Sequence, residues 1–141
     1  MTRADVEIEK LTEAIIGCAI EVHRTLGPGL LESVYRECLL VELGRHQLKT
    51  ECGHAVSLAY KGEPIRSRLV LDLLVEDCVV VELKAVECLH PVHQAQVITH
   101  LKLTGCPAGP LLNFNATTLR AGLRRLSDPD RYAKAPPNAG T

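Results

Sequence analysis

An acid and a base interrupt an otherwise apolar run, Val79-Val80-Val81-Glu82-Leu83-Lys84-Ala85. The run is typical of a buried β-strand, where charged side chains are seldom left without partners. Because side chains alternate along a strand, Glu82 and Lys84 point to one face while Val81 and Leu83 point to the other. The pattern predicts one core-facing side and one side that carries the two charges.

A second apolar run, residues 69–75, carries a carboxylate at Asp72 and is followed by the turn signal Glu76-Asp77. The two runs are typical of a β-hairpin, in which directly opposed residues share a face. A two-residue turn would set Asp72 opposite Val81, whereas a three-residue loop that includes Cys78 sets it opposite Glu82. We favour the three-residue loop, because it brings Asp72, Glu82 and Lys84 together and leaves one apolar face of Leu69, Leu71, Leu73, Val79, Val81 and Leu83.

This set of residues suits a divalent ion such as Mg2+ or Mn2+, which prefers oxygen ligands. Asp72 and Glu82 supply carboxylates, the backbone carbonyl of Leu83 supplies a third oxygen, and a substrate phosphate completes the shell. Lys84 then holds the attacking hydroxide or offsets charge on the phosphorus, so the pattern predicts phosphodiester hydrolysis. An isolated Glu-x-Lys on a strand is more often a surface ion pair.

Length and charge bound the remaining possibilities. At 141 residues the chain is long enough for one domain, and its net charge of -1 gives it no overall basic field. Trp is absent and Phe and Tyr are scarce, which argues against a surface on which single-stranded nucleic acid stacks its bases.

Without a signal peptide or a membrane-length apolar run, we expect a soluble, cytoplasmic protein. Nucleic-acid contacts would depend on local basic groups: Arg66 with Arg68, and Arg120 with Arg124 and Arg125.

The cysteines, six in number, include no CxxC pair, so we expect reduced and mostly buried thiols rather than disulfides. They are Cys18, Cys38, Cys52, Cys78, Cys88 and Cys106. A metal cluster drawn through Cys88, His90 and His93 lacks a fourth ligand and contains Pro91. A cysteine-histidine metal protein is therefore the weakest of the alternatives.

Helical spacing predicts a hairpin of two helices, residues 4–26 and 30–45, broken at Gly27-Pro28-Gly29. An exposed apolar stripe on this hairpin would suit a homodimer. We expect one domain over residues 1–126 and a flexible tail over 127–141. The other predicted elements are strands at 48–60 and 63–74 around a Lys61-Gly62 turn, the charged hairpin strand, a helix at 92–103, a strand at 110–114 and a helix at 117–126.

Asp72 followed by Glu82-Leu83-Lys84 resembles the PD-(D/E)XK nuclease signature. The segment Gly29-Leu30-Leu31-Glu32-Ser33-Val34-Tyr35 resembles the GxxExxY motif, which names a family of small bacterial proteins in that superfamily. The resemblance covers roughly residues 8–126 and includes further blocks in family order: Glu21-Val22-His23-Arg24, His93-Gln94-Ala95-Gln96 and Leu111-Leu112-Asn113-Phe114-Asn115.

The resemblance implies an α/β (α+β) fold with a restriction-endonuclease-like core, a mixed central sheet flanked by helices. It implies Glu32 as the acid of the first core helix, which reaches the metal directly or through water. It also implies Gln96 as a helix side chain that orients Lys84 or water. The alternative for Glu32 is a carboxylate favoured by a helix N-terminus. Tyr35, one turn after Glu32, either hydrogen-bonds into the site or is a core tyrosine with a polar tip.

The function that the resemblance implies is a Mg2+- or Mn2+-dependent nuclease acting on nucleic acid, DNA ahead of RNA. Its catalytic residues are Glu32, Asp72, Glu82, Lys84 and Gln96, and its substrate contacts are Tyr35, Arg66, Arg68 and Arg124. The rival is an inactive nucleic-acid-binding or protein-interaction module with the same fold.

One departure from the family pattern lies on the predicted helix at 92–103. His100 stands where similar proteins look to carry a tyrosine, and with His93 it places two imidazoles along the Gln96 side. The pair would suit a softer metal such as Mn2+ or Zn2+, but the seven-residue spacing favours a polar helix face.

Overall fold

The structure is a computed structural model, which describes residues 2–130. The fold consists of a central sheet flanked by helices. In chain order the elements are α1 (Arg3–Leu26), α2 (Glu32–Arg45), β1 (Thr50–Tyr60), β2 (Glu63–Val75), β3 (Val79–Lys84), α3 (Pro91–Thr104), β4 (Gly109–Asn113), a 3-10 turn (Arg120–Gly122) and β5 (Leu123–Leu126).

The sheet is mixed and is covered on both faces. Its five strands follow the order β1-β2-β3-β4-β5, and β3 pairs with β4 in parallel while the other neighbours are antiparallel. A parallel pair needs a crossover connection, which α3 supplies. Apolar residues of α1 and α2 pack with Val79, Val81 and Leu83 on one face, and α3 packs with Val80 on the other. The predicted mixed α+β architecture is therefore confirmed.

The predicted register of the β2–β3 hairpin is confirmed. Leu73 pairs with Val81 and Val75 with Val79, so three residues form the loop and Asp72 falls opposite Glu82. Two loop residues, Glu76 and Asp77, adopt positive φ angles of 51° and 58°. Lys49 holds them: its backbone N–H donates to Glu76 Oε2 at 2.6 Å, and its ammonium lies 2.9 Å from Asp77 Oδ2.

One detail of the predicted apolar face is wrong. Leu69 and Leu71 pack on the α3 side of the sheet, whereas Leu73 packs on the α1–α2 side. Strict alternation would put Leu71 and Leu73 on one face. The chain is distorted here, because Gly53 lies across from Asp72 between paired residues and has a φ of 68°, a conformation that favours glycine.

The predicted helix at 117–126 is also wrong. The chain makes the 3-10 turn and then pairs as β5 with β4, so that Leu123 lies opposite Leu112. Gly122 permits this path, because a Cβ there would lie 2.3 Å from the backbone oxygen of Asn113. Pairing with a buried strand outweighs the helical spacing of this segment.

The remaining fold predictions are partly met. All the cysteines are free, but Cys18 and Cys106 are buried while Cys52 and Cys88 are exposed, so burial is less general than predicted. The helical hairpin does expose apolar side chains, with Leu31 at 74% and Val41 at 57%, and the homodimer stays a prediction. Most of the predicted tail, residues 131–141, lies outside the described residues. Within residues 2–130, no helix has the length and apolar character needed to cross a membrane.

Substituting Gly122 with Ala tests the tight approach of β5 to β4. The new Cβ would collide with backbone, so we expect Gly122→Ala to lower the free energy of unfolding by about 1 to 3 kcal/mol in urea denaturation. Gly17→Ala is the matched control, because nothing lies within 4 Å of a Cβ at that helical position. Equal stability of the two variants would contradict the close packing.

Candidate active site

Asp72 lies in the notch between β2 and β3. Its Oδ2 accepts the backbone N–H of Leu83 at 3.0 Å, and its own N–H points to Glu82 Oε1 at 3.5 Å. Backbone pairing between β2 and β3 ends at Leu73 and Val81. At the next position, the Asp72 carboxylate accepts the β3 N–H that a backbone carbonyl of β2 would otherwise accept. The register thus brings the two predicted acids, Asp72 and Glu82, side by side.

The backbone carbonyl of Leu83 points toward Asp72. The N–H and C=O groups of one strand residue point to the same side, and successive residues alternate. Lys84 directs its carbonyl to β4, where it accepts from Phe114 N–H at 2.9 Å. Leu83 therefore directs its own carbonyl to the opposite side, where its N–H meets Asp72.

Asn113 fixes the chain directly after Lys84. It pairs with Lys84 in the parallel ladder, and its amide exchanges two hydrogen bonds with the backbone of Val86, at 3.1 and 2.9 Å. The Asn113 side chain is 3% exposed, so water competes little for these bonds. A buried side chain thereby holds the end of β3 and the position of Lys84.

An arginine connects the helix acid to the strand acid. The Arg36 guanidinium donates to Glu32 one turn earlier on α2 and to Asp72 Oδ1 at 3.1 Å. Arg36 thus links Glu32 to the cluster, and the contact of Glu32 with a metal stays a prediction. The positive charge offsets two carboxylates at once.

Glu82 is the most strongly perturbed acid of the cluster. Burial and then the charge of Asp72 raise its pKa to about 7, while the Asp72 N–H and Lys84 oppose the shift. Its side chain faces α3, since it is on the same face as Val80. Close carboxylates with a raised pKa are typical of functional sites, because a cation or a transferring proton relieves the repulsion.

On α3, the residue that reaches the cluster is His100. Its Nδ1 lies 3.5 Å from Glu82 Oε1, is buried, and has no hydrogen-bond partner within residues 2–130. Burial and then the charge of Lys84 lower the His100 pKa below its ordinary value, while Asp72 opposes the shift. Gln96, one turn earlier on α3, is exposed, and its predicted role in orienting Lys84 or water stays a prediction.

Tyr35 belongs to the core. It is fully buried, its ring stacks on Phe114 with centroids 4.8 Å apart, and its hydroxyl donates to Gly27 O and accepts from Leu30 N–H. This burial contradicts the predicted substrate contact. Tyr35 instead holds the loop that leads into α2 and so helps to place Glu32.

The predicted basic contacts fall in two different places. Arg66 and Arg68 are exposed on the part of β2 that extends beyond β3, where β1 and β2 form a two-stranded arm. Arg124 on β5 is half-buried and donates to the carbonyls of Ala121 and Leu123. Arg66 and Arg68 are thus accessible to a substrate, whereas the Arg124 guanidinium is bound to backbone carbonyls of its own segment.

The softer-metal cluster near Cys88 is not assembled. Cys88 Sγ lies 3.9 Å from His90 Nε2, while His93 Nδ1 accepts the His90 N–H and caps α3. Across residues 2–130, no three His, Cys, Asp or Glu side chains are gathered so that they form a ready metal cage. His93 and His100 consequently have separate environments.

The donor chemistry of Asp72, Glu82 and the Leu83 carbonyl fits a small oxygen-preferring ion. Mg2+ keeps several water ligands, so two carboxylates suffice without a closed protein cage. The raised pKa of Glu82 supports the same fit, because burial and the nearby Asp72 charge leave its ionised form poorly stabilised without a cation. The Arg36 guanidinium offsets part of that charge from the α2 side.

A mixed sheet flanked by helices, with an acid on one strand and an acid-x-lysine pair on the next, defines a restriction-endonuclease-like fold. A sequence model of the PD-(D/E)XK nuclease superfamily matches residues 9–126, and the chain belongs to that superfamily. No curated protein and no solved structure matches the chain significantly.

Sequence reasoning missed three of the residues around the cluster. Arg36 carried a signal, since it lies one helical turn after Glu32 at salt-bridge spacing. His100 was noticed as a departure, but its contact with Glu82 depends on how α3 packs on the sheet. Asn113 lies in one of the blocks that resemble the family, but its bonds to Val86 depend on the pairing of β4 with β3.

The raised pKa of Glu82 predicts a pH-dependent stability. The folded protein binds this proton at a pKa of about 7, against an ordinary value of 4.5. Glu82 therefore favours folding fully below pH 4.5, and this contribution is lost as the pH rises through 7. We compare the free energies of unfolding of Glu82→Gln and wild type in EDTA. The difference, variant minus wild type, should rise by about 3 kcal/mol between pH 4 and pH 8.

Glu87→Gln is the control for this measurement, because Glu87 is exposed. Its stability should run parallel to that of the wild type at every pH. A difference between Glu82→Gln and wild type that does not change with pH would show that Glu82 titrates normally.

Proposed function

We propose that this protein is a divalent-metal-dependent nuclease that hydrolyses phosphodiester bonds in nucleic acid, with DNA ahead of RNA. The observation that carries the proposal is the register of the β2–β3 hairpin, which sets Asp72 beside Glu82. Leu83, between Glu82 and Lys84 in the chain, donates its N–H to Asp72. The Gly29-to-Tyr35 motif further supports a place in the GxxExxY branch of the superfamily. We expect the protein to act in the cytoplasm.

Each charged residue has a part in the proposed reaction. Asp72, Glu82 and the Leu83 carbonyl would hold Mg2+ or Mn2+, with Glu32 close by on α2. When bound, the ion would offset phosphate charge and make a water molecule more acidic. Lys84 places its charge on the same face as Glu82 and stabilises the more negative transition state. Arg36 keeps Asp72 oriented toward the notch through its contact with Oδ1.

Cleavage assays with metal titration test the proposal. We expect purified protein to bind Mg2+ or Mn2+ in calorimetry and to cut at least one form of DNA or RNA. Asp72→Asn and Lys84→Met should each lower the rate by about 100-fold or more, because each removes charge stabilisation at the phosphate. Asp130→Asn and Lys102→Met make the same chemical changes in a partly exposed ion pair outside the cluster and should cut normally.

The rival function, an inactive binding or interaction module, has its own support in the Arg36 contact, since Arg36 neutralises part of the cluster without metal. If neither ion binds, and the wild type cuts no more than Asp72→Asn, the nuclease proposal should be abandoned in favour of the module.

The β1–β2 arm is the proposed substrate-binding surface. Arg68 lies four residues before Asp72 on β2, about 13 Å away along an extended strand, which matches about four nucleotides along one strand of a duplex. Because the chain has a net charge of -1, binding depends on such local positive groups. Arg66 and Arg68 would contact phosphates on one side of the cut without reading sequence.

Removing the arm charges should weaken binding in a salt-dependent way. In an Asp72→Asn background, which prevents cleavage, we expect Arg66→Gln with Arg68→Gln to lower duplex affinity and to reduce the slope of log K against log salt by about 2. The control pair, Arg3→Gln with Lys10→Gln, changes the charge equally on the exposed side of α1. An unchanged salt slope in the arm variant would assign the substrate surface elsewhere.

A further inference from the structure

His100 carries a buried nitrogen whose bonding capacity is unused. Within residues 2–130, Nδ1 is the buried side-chain nitrogen or oxygen that lacks a hydrogen-bond partner. Leaving a buried polar atom unpaired costs free energy, so such atoms are rare outside functional sites. The polar group it faces is the Glu82 carboxylate.

The distance between these two groups suits two ligands of one ion. Metal–nitrogen and metal–oxygen bonds are about 2.1 Å long, which separates neighbouring ligand atoms by about 3.0 Å at a right angle and about 3.4 Å at a tetrahedral angle. His100 Nδ1 and Glu82 Oε1 lie 3.5 Å apart. This is longer than a good hydrogen bond and close to a ligand–ligand spacing.

The elements that meet here keep His100 and Glu82 together. Glu82 lies on β3, paired to β2 and β4 on either side, and is 8% exposed. His100 lies on α3 one residue before Leu101, which packs against Val80 in the core. His93 is diverted to the cap of α3, which leaves one imidazole, not two, at the carboxylates.

We propose that His100 Nδ1 is a metal ligand beside Glu82, and that the site takes Mn2+ or a similar first-row transition-metal ion in preference to Mg2+. This inference rests on the proposed function and names its metal. Carboxylate and carbonyl oxygens suit Mg2+ and Mn2+ alike, but an imidazole nitrogen is a ligand that transition metals accept more readily. A mixed oxygen–nitrogen set therefore discriminates between the two ions.

Pulsed electron paramagnetic resonance of the Mn2+-loaded full-length chain tests the ligand directly. A nitrogen bound to Mn2+ modulates the electron spin echo at 14N frequencies, and this signal does not depend on turnover. We expect the modulation in the wild type and in His93→Gln, and its loss in His100→Gln. Far-UV circular dichroism checks that each variant is folded. If a variant is unfolded, the presence or absence of 14N modulation in the wild type still tests for a bound nitrogen.

Calorimetric titrations with Mn2+ and Mg2+ test the selectivity. We expect wild type to bind Mn2+ more tightly than Mg2+, and His100→Gln to lose about tenfold in Mn2+ affinity with little change for Mg2+. His100→Tyr, which keeps a ring but removes the nitrogen, should behave as His100→Gln does. His93→Gln should bind both ions as wild type does.

Three outcomes would overturn the inference. Mn2+ bound at the carboxylates, as judged by its loss in Asp72→Asn, but without 14N modulation shows that His100 merely accepts a hydrogen bond from Glu82, and the nuclease proposal survives. A 14N signal that persists in His100→Gln assigns the nitrogen to another residue, with the same consequence. Wild type that binds neither ion overturns both the inference and the nuclease proposal.

Discussion

The three-residue loop between β2 and β3 is the constraint on which the candidate site depends. A loop of two residues would shift one strand by one position and turn every side chain of that strand to the opposite face. Asp72 and Glu82 would then be separated by the sheet. The loop keeps two non-glycine residues at positive φ, and its contacts with Lys49 offset the strain of that conformation.

The charges of the site are arranged for function more than for stability. An ionised carboxylate that is 8% exposed is costly, and a well-packed apolar side chain at Glu82 would stabilise the sheet better. The cluster instead keeps Glu82 close to Asp72 and offsets the repulsion from two directions: Arg36 on α2 and Lys84 on β3. Such local departures from the most stable choice concentrate at sites that bind or catalyse.

The sequence was sufficient for the features that depend on short-range pattern. The register followed from the period of two along the strands, and the hairpin of α1 and α2 followed from helical spacing. The β5 strand was mistaken for a helix, because Leu119, Leu123 and Leu126 fit a helical stripe and the competing partner, β4, is distant in the chain. Leu71 was misplaced, because the distortion opposite Gly53 involves a second strand.

The residues that pattern alone did not reveal are those whose partners lie on other elements. Arg36 reaches Asp72 across the gap between α2 and β2, and His100 reaches Glu82 across the gap between α3 and β3. Neither distance can be read from spacing along one helix.

These tertiary contacts also bear on the choice between an enzyme and an inactive module. A module that only binds has no physical need for a buried acid with a pKa of about 7 or for an unpartnered imidazole nitrogen next to it. Both features cost stability in the absence of a ligand. A bound cation would lower the energy of the acid and use the free nitrogen at once, so one ligand accounts for both costs. A bound cation therefore explains the two least favourable groups of the fold with a single assumption.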